Sequence, residues 1–150
     1  MLVVEGSVVV DAPLDRVRDV VLDGESYAAA DTKVDAVHVE ESTADGMIAT
    51  IDGHLGPIHS SMRVRYTVRD GRVDLDMITG RIRDFHAAFV FEPADGGVRL
   101  THIERYDFGF PLITPLVERA MRAWTTKTVA AEVRALKRAA EAPVEARAAS

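Results

Sequence analysis

The sequence predicts an α+β fold: a curved antiparallel sheet of seven strands, two short helices behind the first strand, and one long C-terminal helix over the sheet. Three observations predict it. An opening apolar strand gives way within a few residues to helical spacing. Six further runs alternate with a period of two and are separated by turn signals. The last stretch, residues 111–141, holds no glycine and is rich in helix formers. A sheet with one apolar face must cover that face. A long helix across a strongly curved sheet does so and leaves a cavity between them.

The opening run "LVVEGSVVVDAP" puts Val4, Val8 and Val10 on one side and reads as a strand. In "DAPLDRVRDVVLD", Asp11 is placed to cap a helix, Pro13 sits in its first turn, and Val17, Val20 and Val21 follow at helical spacing. A second short helix fits residues 24–30. "KVDAVHVEES" then runs to a turn at "TADG", residues 43–46, and "MIATIDGHLGP" follows. "IHSSMRVRYTVRDGRVDLDMITG" is a hairpin about Asp70–Gly71. "RDFHAAFVFEPADGGVRLTHIERYDF" is another, turning near residues 94–97. In the long helix Pro111 and Pro115 fall in the first turns. One apolar stripe runs through Ile113, Val117, Ala120, Met121 and Trp124. A second, through Val129, Val133 and Leu136, is rotated from it by roughly a third of a turn or more. The helix is therefore expected to touch different partners along its length. The single domain is expected to span residues 1–141, with 142–150 a disordered tail.

The 150 residues suffice for one core, and no apolar run approaches the ~18 residues of a membrane span. The N-terminus lacks a basic region and carries Glu5 and Asp11, unlike a signal peptide. There is no cysteine, hence no disulfide and no thiolate metal or redox site. A cytoplasmic location follows as the expectation. The net charge of −6 argues against general nucleic-acid binding. Acidic residues dominate residues 1–58, twelve to three, and basic ones lead in 112–150, seven to four. Fifteen arginines against three lysines, with no asparagine or glutamine, point to a GC-rich bacterial genome.

The inward parity of each strand gives the candidate cavity lining: Met62, Tyr66, Met77, Thr79, Phe85, Phe89, Leu100, Tyr106 and Phe108, with Val117, Met121 and Trp124 from the helix. An apolar surface with a few polar groups suits a small-molecule pocket, and equally a filled core. His102 and Glu104 stand out, two apart on the apolar face of the last strand. Burying a charge without a partner is costly. The pair is either structural, bonded internally, to Tyr66 or to water, or it serves acid–base work or orients a ligand. His54 and His59 flank "LGPI" in an expected loop; without a third ligand they are weak evidence for metal, and no metal or cofactor is predicted. The arginines 63, 65, 81, 83, 99 and 105 fall mostly on the outward parity and are expected to pair with Asp74, Asp76 and Asp107.

The chain resembles the START/SRPBCC superfamily, the helix-grip fold of birch-pollen-type allergens, with the polyketide cyclase/dehydrase branch nearest. The resemblance covers about residues 2–140. "VVVDAPLDRVRDVVLD" is similar to the family's opening strand and following helix. "GGVRLTHIERYDFGFP" is similar to its last strand, and the long helix closes the domain. Where the family often has a tryptophan after the first helix, "GESYAAADTKVD" offers only Tyr27. These motifs identify architecture, not chemistry.

Three functions follow as expectations. The first is binding of a small, largely apolar ligand, such as a lipid, aromatic polyketide or quinone, between sheet and helix. The second is a polyketide aromatase/cyclase or dehydratase with His102 and Glu104 as acid–base groups. The third is a protein-interaction module, in which the acidic N-terminal half and basic helix mediate docking or a homodimer. No nucleic-acid partner and no stable membrane insertion are expected.

Overall fold

A computed structural model describes residues 1–109 and 115–144. The element order is β1 (Leu2–Val10), α1 (Leu14–Leu22), α2 (Gly24–Ala30), β2 (Val34–Thr43), β3 (Gly46–Leu55), β4 (Ile58–Arg69), β5 (Arg72–Thr79), β6 (Asp84–Ala94), β7 (Gly97–Asp107) and α3 (Pro115–Glu141). The seven strands form one antiparallel sheet in the order β1-β7-β6-β5-β4-β3-β2. Apart from the link from β1 back to β7, it is a meander. The β4–β5 turn is the two residues Asp70–Gly71, and Gly71 holds φ of +67°, which glycine adopts without steric penalty. Among the described residues no helix is long and apolar enough to cross a membrane.

Alternation sets the inward face. In β7, Val98, Leu100, His102, Glu104 and Tyr106 are buried, while the residues between them are not. β1 and β6 supply Val10, Phe85, Ala87, Phe89 and Phe91 to the same core. From α3 come Val129, Leu136 and Ala140. Burying each such valine or leucine stabilises by roughly 1.5–3 kcal/mol relative to exposure.

α3 packs along β1, and Gly6 makes that approach possible. A Cβ at Gly6 would lie 3.0 Å from Val129 Cγ1 and 3.3 Å from the Val129 carbonyl oxygen. β1 is an edge strand, and α3 ties it down. Arg122 Nη1 donates to the Val3 carbonyl (3.0 Å) and Lys137 Nζ to the Val9 carbonyl (2.8 Å). The Asp11 N–H donates to Glu141 Oε1 at 2.8 Å. Unpaired edge groups invite foreign strands, and these contacts occupy some of them.

Several local expectations need correction. Asp11 does not cap α1: Pro13 is the N-cap and offers no side-chain bond, while Asp23 caps α2 by accepting from the Ser26 N–H. His54 and His59 lie in strands rather than a loop, opposite one another across β3 and β4. Asp76 meets His86 (2.8 Å) rather than an arginine, Asp74 meets Arg72, which was not among the arginines expected to pair, and Arg63 turns to Glu40; Arg83 reaches Asp107 as expected. Pro111, Ile113 and the tail from 145 lie outside the described residues.

Candidate functional site

Inside the sheet lies a network of five ionisable side chains from three places. β7 contributes His102 and Glu104, α3 contributes Glu132, and the connection after α2 contributes Asp31 and Lys33. All five are buried, His102 and Glu132 completely. Lys33 Nζ stands 3.1 Å from Asp31 Oδ1, 3.1 Å from Glu104 Oε1 and 3.5 Å from Glu132 Oε2. His102 Nε2 stands 3.2 Å from Glu104 Oε1 and 3.4 Å from Glu132 Oε1. Tyr106 donates to Glu104 Oε2 at 2.7 Å, and Phe89 stacks on the imidazole with centroids 3.9 Å apart. The approaches of Lys33 Nζ and of both Glu132 oxygens are close but off the hydrogen-bonding axis.

Geometry constrains the protons. His102 Nδ1 faces the Ala88 carbonyl at 3.2 Å and can only donate there. Nε2 faces carboxylate oxygens, so a proton must lie on the ring or on a carboxyl beside it. Burial alone pushes the His102 pKa down, but the Glu132 charge and the bond to Glu104 outweigh it, and the net direction is up. Burial pushes the Glu132 carboxyl up to about 8, against the pull of His102 and Lys33. Glu104 goes the other way. Burial works to raise it, but the Lys33 ammonium, then the His102 bond, hold it down at about 2. Two carboxyls a few ångströms apart are thus driven in opposite directions by unequal partners.

The ligand atoms of His102, Glu104 and Glu132 lie within 4.8 Å of one another, a donor set that suits a divalent cation. The Lys33 ammonium already reaches both of those carboxylates, so a positive charge from the chain itself compensates them.

Next to the network is a small chamber of about 40 Å³, lined by Tyr27, Asp31, Lys33, Ile51, Met62, Phe85, Glu104 and Tyr106 among others. It has room for one to a few waters. Beyond it lies a cavity of about 390 Å³, lined by Leu55, Pro57, Ile58, Ser60, Arg81, Ile82, Phe108, Val117 and Met121. The two adjoin at Leu55 and Ser60. Ile58 and Val117 are 59% and 48% exposed, so the larger cavity opens to solvent. A volume of this order falls within the usual range for small-molecule sites.

The candidate residues divide between these places. Met62, Phe85, Tyr106 and Glu104 line the chamber, and Phe108, Val117 and Met121 line the open cavity. His102 lies in the network, walled off from both cavities. Tyr66, Phe89 and Leu100 are core residues, Met77 packs against that core, and Thr79 is exposed. Trp124 is half-buried and lines neither cavity. Sequence reasoning missed Asp31, Lys33 and Glu132. A signal existed for Glu132, which interrupts the Val129–Val133–Leu136 stripe. Lys33 is one of only three lysines but sits in a connection without periodicity.

The family described as polyketide cyclase / dehydrase and lipid transport matches residues 1–141. The chain belongs to this family. Several solved structures share the fold of this polyketide cyclase/dehydrase and lipid-transport member. TTHA0849 from Thermus thermophilus superposes with a TM-score of 0.82 at 16% identity, covering 99% of each chain. A START superfamily protein from Mycobacterium smegmatis gives 0.73 at 15% identity, over 90% of this chain and 94% of that one. The Zhui aromatase/cyclase from a Streptomyces species gives 0.72 at 20% identity, over 93% of each. Among curated protein sequences none matches this family member significantly.

Proposed function

We propose that this protein binds a small, largely apolar molecule in the open cavity between β3–β4, the β5–β6 connection, β7 and α3, and that it does so in the cytoplasm. The observation that carries this reading is the 390 Å³ cavity itself, walled almost wholly by apolar side chains yet open to solvent. Burying a ligand's apolar surface there contributes about 25 cal/mol per Å². The rigid network behind the chamber sets how deep the ligand can go. Native mass spectrometry of freshly purified protein tests the reading. A co-purifying small molecule, or a mass shift on adding fatty acids, quinones or aromatic polyketides, is expected. A clean apo mass that none of these shifts would count decisively against it.

A second reading, cyclisation or dehydration of a polyketide-like chain, is favoured by one observation. Glu104 and Tyr106 form a donor–acceptor pair on the chamber wall, with His102 behind Glu104. A water-poor pocket that bends a poly-carbonyl chain could pass a proton along that line. Turnover of a trial poly-β-keto thioester that survives Glu104→Gln and His102→Ala unchanged removes the acid–base role.

A further inference from the structure

We propose that the ligand is an anionic amphipath, a carboxylate on an apolar body, bound with its head at Arg81 in the cavity mouth and its tail toward the inner chamber. The inference rests on the pocket reading above and adds the ligand's charge and direction.

Among the described residues lining the open cavity, Arg81 is the only ionisable one. Among the described residues it also has no hydrogen bond or ion pair, whereas three other arginines of this part of the chain do. Arg83 reaches Asp107, Arg63 reaches Glu40 and Arg72 reaches Asp74. A guanidinium beside apolar walls, with its donors unspent, suits a carboxylate in bidentate fashion.

The inner chamber has the opposite character. The charges at the chamber belong to Asp31, Glu104 and Lys33. Lys33 holds its ammonium within 3.5 Å of three carboxylates, so its charge is already more than balanced by the chain itself. An anion pushed inward would meet Asp31 and Glu104 and shed its water without a partner. A methyl end meets Ile51, Met62 and Phe85 instead. The head is therefore favoured outside and the tail inside.

The test titrates folded protein by calorimetry with dodecanoate, dodecanol and dodecyltrimethylammonium, each below its aggregation limit, at one ionic strength. Dodecanoate is expected to bind tighter than dodecanol by about fivefold, the scale of a part-exposed ion pair. Arg81→Gln should level the two, and Arg81→Glu should favour the ammonium compound. Arg81 is exposed, so both variants should keep the wild-type thermal midpoint. Equal binding of acid and alcohol by the wild type, or a preference that survives Arg81→Gln, overturns the inference and leaves the pocket reading standing. Failure of all three compounds to bind overturns both. Direction is read by nuclear Overhauser effects. Contact between the dodecanoate terminal methyl and the Met62 methyl is expected; contact between its α-methylene and Met62 overturns the tail-in arrangement.

Discussion

Glu132 shows how one side chain can tilt the stability of a whole domain with pH. Its folded pKa of about 8 lies above the ordinary 4.5, so its contribution is fully present below pH 4.5 and is lost as pH rises toward 8. His102, raised above 6.5, acts in the same direction. Glu104, lowered to about 2, acts oppositely: its contribution is present above pH 4.5 and lost on acidification toward 2. The thermal midpoint is therefore expected to peak near pH 5 and decline toward pH 9. Glu132→Gln should flatten the decline between pH 5 and 8 while sparing the acid limb; calorimetric scans across that range that show an unchanged slope would refute the assignment. Lys33→Met should behave differently. It strands three buried carboxyls at once, and a loss of about 3–5 kcal/mol in urea unfolding is expected. His102 and Glu104 were legible in the sequence because alternation put both inside. Lys33 was not, because burial outside a periodic element leaves no pattern to read.

At the scale of elements, α3 behaves as two helices end to end. Its first turns carry Val117 and Met121 to the open cavity, while Leu116 is 76% exposed. Its later turns bury Val129, Val133, Leu136 and Ala140. The rotation between the two apolar stripes already implied a change of partner along the helix. What no stripe could reveal was how closely the helix approaches β1, because that depends on the absence of a side chain at Gly6. Gly6→Ala puts a methyl against Val129 and against backbone that cannot yield, so a loss of about 1–3 kcal/mol is expected. Adding Val129→Ala should recover part of it, giving a coupling energy in a double-mutant cycle. Strictly additive losses would mean that the contact does not govern the packing.

For the molecule as a whole, the strand count, their meander and the closing helix were readable from period, turn residues and helix formers. The division of the interior was not. Periodicity specifies which side chains point inward, and it is silent on whether they meet, enclose a void or surround charge. Leu100 and Phe89 filled the core, Met62 and Phe85 were left beside a chamber, and Phe108 beside an open cavity. Met121→Trp, on the partly exposed wall, should fill that cavity. Uptake of dodecanoate is expected to fall at least tenfold with the thermal midpoint unchanged; undiminished uptake would place binding elsewhere.

The ties between β1 and α3 join residues 119 to 130 positions apart. On a ribosome adding about 5–20 residues per second, the first strand emerges many seconds before the helix that clasps it. Its hydrogen-bonding partner β7 also arrives late. For that interval the nascent chain is a sticky ribbon in search of an edge. A chain stopped before residue 115 is expected to aggregate rather than fold, and light scattering of that fragment beside the full chain would show it. The last helix to be made thus decides whether the first strand is safe.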